Sequence, residues 1–332
     1  MKTGLTRRRA AGTVAVMATA TLGLVAAATP ADAATTATFV KGRGVLVVAG
    51  DTADNQIVVS RDAGGNILVN GGAVHLRGAQ PTVASVRLIA VFGGAGNDTI
   101  SMDEASGPLP PADLFGGTDN DTLTGGSGDD TLSGGSGDDI LQGASGVDRL
   151  VAGDGNDLVD GDKGNDTALL GAGGDTFQWD PGDGSDVVEG QDGTDTMLFL
   201  GADLDEKIDI RANGARIRLV RDIGNVTMDF DGTERVAVPT KGGNDSVTVG
   251  NLAGTAATQI DLDLGAGNDI ADASAQTSGT VTLTAHGGDG NDTLIGSPGN
   301  DHLFGDNGDD VLIGNGGADQ VDGGPGTNTV TP

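Results

Sequence analysis

The feature that most constrains the fold is a nine-residue unit that repeats seven times without slipping register across residues 116–178. An aspartate falls at every ninth position, and an apolar or small side chain follows two residues later. The aspartates are Asp121, Asp130, Asp139, Asp148, Asp157, Asp166 and Asp175. A glycine-rich turn precedes each of them and is clearest in residues 125–130 and 134–139, with Gly125, Gly126, Gly128, Gly134, Gly135 and Gly137.

Each unit predicts a turn followed by a very short strand. The glycines permit positive φ and a close approach of the backbone to whatever the turn holds. After the aspartate, polar and apolar residues alternate, as in Asp130-Thr131-Leu132, which is typical of a half-buried strand. Two units then form one coil, with a strand on each side. Because a single coil cannot bury its leucines, the repeat predicts a stack of coils, an all-β parallel solenoid.

The carboxylates indicate what fills the turns. Aspartates stacked at the spacing of neighbouring strands, about 4.8 Å, repel one another unless a cation lies between them. Carboxylate and carbonyl oxygens suit a hard cation with six to eight ligands, which favours Ca²⁺ over Mg²⁺. Neither Cys nor His occurs in residues 116–178, so a soft metal is disfavoured.

These units resemble the RTX nonapeptide, G-G-x-G-x-D-x-U-x, in which U is a large apolar residue. The resemblance implies a parallel β-roll that holds Ca²⁺ between adjacent turns on the same side. A second array strengthens it, because from Gly287 the nine-residue period resumes through Asp292, Asp301, Asp310 and Asp319, and Asn328 replaces the last aspartate.

Five segments are expected from these patterns. They are a signal peptide at 1–33, an N-terminal β-cap with one isolated motif at 34–115, the first array at 116–178, an intervening β-rich segment with partial motifs at 179–286, and the second array with a C-terminal cap at 287–332. The isolated motif contains Asp98, and Met102–Phe115 reads as a loop that leaves the coil. After Phe177 the pattern stops, and the arginines that follow alternate with apolar residues as on a solvated sheet face.

An ion site needs two intact turns in successive coils, which sets a ceiling of about eight Ca²⁺ ions over both arrays. Asp121, Asp130, Asp139, Asp148 and Asp157, then Asp292, Asp301 and Asp310, are the strongest candidates, and Asp166, Asp175 and Asp319 complete the set. Departures from the turn pattern weaken the later sites of the first array, since a side chain strains a positive φ. The departures are Asp119, Ala144, Val147, Ala152 and Leu170.

The N-terminus and the charge indicate export. Lys2 and Arg7–Arg9 precede an uncharged run, and Ala31-Asp32-Ala33 is a small-x-small cleavage site, so cleavage is predicted after Ala33. The remaining chain has 14 Lys and Arg against 47 Asp and Glu, a net charge of −33. This charge excludes nucleic acid as a partner. A monomeric extracellular protein without a membrane span is expected, and the Ala- and Gly-rich composition with such a signal suggests an actinobacterial source. Cys is absent, which leaves metal rather than disulfides to fasten the fold.

Three function classes remain open at this stage. The first is a calcium-binding structural or surface protein whose folding depends on Ca²⁺. The second is a module that binds carbohydrate, extracellular polysaccharide or a cell surface through a flat face of the roll. An enzyme is the least favoured, since the sequence has no H-E-x-x-H, no G-x-S-x-G and no Cys nucleophile, and its three histidines are far apart. No catalytic residue and no cofactor other than Ca²⁺ is predicted.

Overall fold

The computed structural model describes residues 34–332 with the exception of residue 278. Across these residues the chain is almost entirely β, with thirty strands and two short 3-10 turns at Asn70–Gly72 and Ile223–Asn225. Within the same residues, no helix has the length and hydropathy needed to cross a bilayer. The signal predicted for residues 1–33 lies outside the described residues.

The strands form two sheets, of 17 and 13 strands, which we call sheet 1 and sheet 2. At the N-terminal end, β1–β2 and β3–β4 are antiparallel pairs, and from β6 onward the chain winds into a parallel solenoid. The strands here are β1 (Thr36–Val40), β2 (Val45–Ala49), β3 (Gln56–Arg61), β4 (Ile67–Val69), β5 (Leu76–Arg77), β6 (Leu88–Ala95), β7 (Thr99–Asp103) and β8 (Ala112–Thr118). The predicted loop is therefore shorter than Met102–Phe115, because β7 and β8 take up its ends.

Over the first array, successive strands alternate between the sheets, even-numbered strands in sheet 1 and odd-numbered strands in sheet 2. The strands are β9 (Thr122–Thr124), β10 (Thr131–Ser136), β11 (Ile140–Gln142), β12 (Arg149–Asp154), β13 (Leu158–Asp160), β14 (Thr167–Gly173), β15 (Thr176–Trp179), β16 (Val187–Gly193) and β17 (Thr196–Phe199). Leu132 pairs with Leu150, and Leu123 with Leu141, so the predicted stacking of one coil on the next is confirmed. These leucines are fully buried in the core between the sheets.

The nine-residue pattern stops after Phe177, but the coil continues. β16 pairs in parallel with β14, and β17 with β15. Asp166 and Asp186, which occupy equivalent places in neighbouring coils, are 20 residues apart, whereas earlier equivalents such as Asp148 and Asp166 are 18 apart. Two extra residues in the intervening turn thus break the nine-residue period while the strands keep their register.

An antiparallel insertion follows in sheet 1. β18 (Lys207–Asn213), β19 (Arg216–Arg221) and β20 (Val226–Asp231) form a meander, in which β20 pairs with β16 and β18 pairs with β22. In sheet 2, β17 pairs directly with β21 (Arg235–Pro239), so the insertion widens only one sheet. Arg221 departs from the expected solvated face, since it is buried.

The solenoid then continues to the end of the chain in the same alternation. Its strands are β22 (Ser246–Val249), β23 (Gln259–Asp263), β24 (Ile270–Asp272), β25 (Thr282–Asp289), β26 (Thr293–Ile295), β27 (His302–Asn307), β28 (Val311–Ile313), β29 (Gln320–Asp322) and β30 (Thr329–Thr331). All pairings within this part are parallel. The expected all-β parallel roll is confirmed.

Candidate metal site

The repeated aspartates lie where a turn enters a strand, and all of them except Asp319 are buried. Asp121, Asp139 and Asp166 are each 1% exposed. A carboxylate in such surroundings needs hydrogen-bond donors or a cation, because its transfer from water is very unfavourable otherwise.

One oxygen of each carboxylate has a backbone partner in the neighbouring coil. The amide of Asp121 donates to Oδ1 of Asp139 at 2.7 Å, and the amide of Asp139 donates to Oδ1 of Asp157 at 2.8 Å. The same bond joins Asp130 to Asp148 at 2.7 Å on the opposite edge of the roll. Repetition of this bond along each edge produces a ladder of carboxylates.

The ladders divide into four runs, which we name after their first residues. The Asn55 run contains Asn55, Asp98, Asp121, Asp139, Asp157, Asp175, Asp195 and Glu234. The Asp130 run contains Asp130, Asp148, Asp166 and Asp186. The Glu206 run contains Glu206, Asp245, Asp269, Asp292, Asp310 and Asn328. The Asp301 run contains Asp301 and Asp319.

The other carboxylate oxygen, Oδ2, is buried without a hydrogen-bond partner at thirteen of these residues. They are Asp98, Asp121, Asp139, Asp148, Asp157, Asp166, Asp175, Asp186, Asp195, Asp245, Asp269, Asp292 and Asp310. Folded proteins leave few buried polar atoms unpaired, so a regular series of thirteen indicates that these oxygens serve as ligands.

The surroundings of Oδ2 are themselves rich in acceptors. A Cβ added at Gly116 would lie 2.2 Å from Oδ2 of Asp121 and 2.7 Å from the carbonyl oxygen of Gly134, so only glycine leaves this space open. Asn328 provides an internal comparison at the end of the Glu206 run. Its Nδ2 donates to the carbonyl oxygens of Gly323 at 2.6 Å and Gly324 at 3.0 Å. Where aspartate stands at the equivalent position, Oδ2 cannot donate such a bond, and a cation would be a suitable partner for it.

These donor atoms fit Ca²⁺. They are all oxygens, from carboxylates and turn carbonyls, which is the donor set of a hard cation with a high coordination number. Within the described residues, no group of three or more His, Cys, Asp or Glu side chains is placed to hold a metal ion. An ion in the ladder would therefore need backbone carbonyls in addition to the carboxylates.

The protein surroundings raise the pKa values of these carboxyl groups. Burial, together with the nearby carboxylates of Asp157 and Asp121, raises the pKa of Asp139 to about 7, against the lowering by the Asp121 amide. Burial likewise raises the pKa of Asp148 to about 7 and that of Asp166 to about 6. The protein alone thus holds these groups in a place that disfavours their ionised form, which a bound cation would reverse.

All eleven aspartates predicted as ligands belong to the four runs, but they are not equivalent. Asp130 and Asp301 lack an orphaned oxygen, since their Oδ2 atoms accept hydrogen bonds from Gly126 at 2.7 Å and Ser297 at 2.6 Å. Asp319 is only half-buried. The predicted glycines Gly134, Gly135 and Gly137 line the turn of Asp139, and Gly135 and Gly137 have φ of 123° and 127°. The turn of Asp130 is lined by Gly125, Gly126 and Gly128. None of these three is among the positive-φ residues of the described chain.

Sequence reasoning left out five members with orphaned oxygens, namely Asp98, Asp186, Asp195, Asp245 and Asp269. It also missed a second, exposed ladder formed by the Asn or Asp residues that directly precede several of these aspartates. Oδ1 of Asn120 accepts from the amide of Asp138 at 2.9 Å, and Oδ1 of Asp138 accepts from Asn156 at 2.7 Å. The recurrence of Asn or Asp at this position was the available signal.

Comparison with known proteins agrees with this geometry. The family model described as the RTX calcium-binding nonapeptide repeat (4 copies) matches residues 91–101, 113–141, 142–177, 182–200, 286–321 and 295–330. No curated protein was found to match the chain. The matched residues contain most of the orphaned aspartates, and their coils form the parallel roll expected of such repeats. The chain thus contains RTX, haemolysin-type, calcium-binding nonapeptide repeats.

Proposed function

We propose that the protein is an exported structural β-roll that binds several Ca²⁺ ions and depends on them for folding. The observation that supports this proposal is the series of thirteen buried Oδ2 atoms without a partner. The high negative charge, with 48 Asp and Glu against 18 Lys and Arg, adds repulsion that divalent cations would relieve.

The core that the ladder must hold together is thin in the arrays. Many strands of the arrays have only three residues, such as β9, β11 and β26, and contribute one fully buried side chain each. Burial of such a side chain stabilises by about 1.5–3 kcal/mol. An unpaired buried charge is unfavourable by several kcal/mol. Without a cation, the penalty of the buried carboxylate therefore offsets the stabilisation that the buried apolar side chain provides.

The residues of the chain would therefore position the oxygens, and the ion would supply the positive charge. The inter-coil bonds orient each carboxylate, as the Asp121 amide does for Asp139. The glycines hold the carbonyls in place and keep the space beside Oδ2 open. Extracellular calcium modules bind with dissociation constants of roughly 10⁻⁴–10⁻³ M, which is consistent with a protein that folds after export.

Circular dichroism of the protein lacking residues 1–33, first with chelator and then with millimolar Ca²⁺, tests this function. We expect conversion from coil to β-structure on addition of Ca²⁺, and much less conversion with Mg²⁺ at the same concentration. A fully ordered β spectrum in excess chelator would contradict the proposal.

A further inference from the structure

The first turn of every run differs from all the turns that follow it. In each first turn, the side-chain oxygen accepts a hydrogen bond from the backbone amide four residues earlier. These bonds join Asn55 to Asp51 at 2.8 Å, Asp130 to Gly126 at 2.7 Å, Glu206 to Ala202 at 3.0 Å and Asp301 to Ser297 at 2.6 Å. We call these closed turns. The thirteen residues with an orphaned Oδ2 all lie later in their runs.

The backbone separates the two kinds of turn as well. In the turn of Asp310, Asp306 and Gly308 have φ of 61° and 152°. In the turn of Asp245, Lys241 and Gly243 have φ of 73° and 133°. The corresponding residues of the four closed turns, such as Ser297 and Gly299, are not among the positive-φ residues of the described chain. Even Lys and Asp thus adopt the left-handed region in later turns.

The preceding coil explains the difference. A Cβ at Gly135 would lie 2.1 Å from the carbonyl oxygen of Gly117, and one at Gly137 would lie 2.3 Å from that of Asp119. A later turn is therefore laid against the turn one coil before it. The turn of Asp130 has no such turn beneath it, since Gly126 faces Oε1 of Glu104 and Gly128 faces Pro111.

We propose that each closed turn is a metal-free start of its run, and that each later aspartate with an orphaned Oδ2 takes one cation. This inference rests on the proposed function and specifies its sites. It assigns cations to Asp98, Asp186, Asp195, Asp245 and Asp269, of which Asp245 and Asp269 lie outside the residues matched by the repeat family. It assigns none to Asn55, Asp130, Glu206 or Asp301, where the chain supplies the donor itself.

Bound Ca²⁺ ions counted by native mass spectrometry and by equilibrium dialysis test the assignment. About thirteen ions are expected in the wild-type protein lacking residues 1–33. Asp148→Asn and Asp310→Asn should each lower the count by at least one, whereas the matched variants Asp130→Asn and Asp301→Asn should leave it unchanged. Asp269→Asn should also lower it, although this residue lies outside the matched repeats.

The outcomes separate the inference from the function on which it rests. A wild-type protein that binds no Ca²⁺ refutes both. A wild-type count of eight or fewer, or the same loss in Asp130→Asn as in Asp148→Asn, overturns the inference and leaves calcium binding intact. Circular dichroism of each variant in Ca²⁺ confirms folding, and the wild-type count decides the matter if a variant does not fold.

Discussion

The guanidinium of Arg221 lies against the carboxylate of Glu206 in the interior of the roll, where their side chains are 4% and 0% exposed. Arg221 also lies over the ring of Trp179 at 5.4 Å, and Trp179 stacks on Phe199 at 4.1 Å. Glu206 begins a run, and its two oxygens are satisfied by Arg221 and by the Ala202 amide. The antiparallel insertion thus brings the chain's own cation to a place where later coils have an unpaired oxygen.

Replacement of Arg221 should destabilise the protein even when Ca²⁺ is saturating. Arg221→Met leaves the Glu206 carboxylate buried without its partner, and we expect the free energy of unfolding to fall by roughly 3–5 kcal/mol. Chemical denaturation in millimolar Ca²⁺ measures it. The control Arg218→Met removes an exposed arginine from the same strand. The double variant Glu206→Gln/Arg221→Met should recover much of the loss, and a single variant as stable as the Arg218 control would show that the pair is dispensable.

The amide of Asn328 should protect the last coil when Ca²⁺ is only just sufficient to fold the roll. Asn328→Asp replaces the donor to the Gly323 and Gly324 carbonyls by an acceptor, which we expect to destabilise this coil by roughly 1–3 kcal/mol at that limiting Ca²⁺ concentration. Hydrogen exchange of residues 323–331 measures the loss of protection, and excess Ca²⁺ should restore it. Asn291→Asp adds the same charge at an exposed position, where the acceptor to Asp309 is kept. Equal exchange in the two variants would argue against the role of the amide.

The exposed ladder should contribute to stability without affecting ion binding. Asn120→Ala removes the acceptor for the Asp138 amide and should lower the free energy of unfolding by about 0.5–1.5 kcal/mol, with an unchanged number of bound ions. Asn120→Asp keeps the acceptor and serves as the control in denaturation and dialysis. If Asn120→Ala lost an ion, this ladder would belong to the metal site.

Asp160 should make the stability of the calcium-loaded protein depend on pH. Burial, together with the nearby carboxylates of Asp162, Asp183 and Asp180, raises its pKa to about 7, against the lowering by the Asp162 amide. The folded state therefore binds a proton at Asp160 more tightly than the unfolded state, whose pKa is 3.8. The stability that this protonation contributes is complete below about pH 4 and is lost as pH rises through 7. Asp160→Asn keeps an acceptor for Asp162 and should be more stable than wild type at pH 8, by roughly 1–3 kcal/mol.

Thermal and chemical unfolding between pH 4 and pH 8, in saturating Ca²⁺, measures this difference. Asp192→Asn removes the same charge from an exposed position and controls for net charge. If the stability of wild type and Asp160→Asn changed with pH in the same way, Asp160 would not cause the pH dependence.

The period of the sequence was enough to predict the parallel roll, the stacking of Leu132 on Leu150 and the aspartate ladders. A strict spacing forces equivalent residues into register, because strands in a solenoid can pair only with the coils beside them. Asp186 and Asp195 escaped prediction because two inserted residues shift the period, although a turn absorbs them. The burial of Arg221 was also beyond prediction, since it depends on which side of the meander meets Glu206.

Residues 125–130 and 134–139 have the same sequence, Gly-Gly-Ser-Gly-Asp-Asp, but form different turns. The sequence by itself determined that both are turns with an inward aspartate. Only the tertiary structure decided that Asp130 closes on the Gly126 amide while Asp139 keeps an unpaired oxygen. The physical reason is the preceding coil, because the second turn lies on the backbone of Gly117 and Asp119, and the first lies against Glu104 and Pro111.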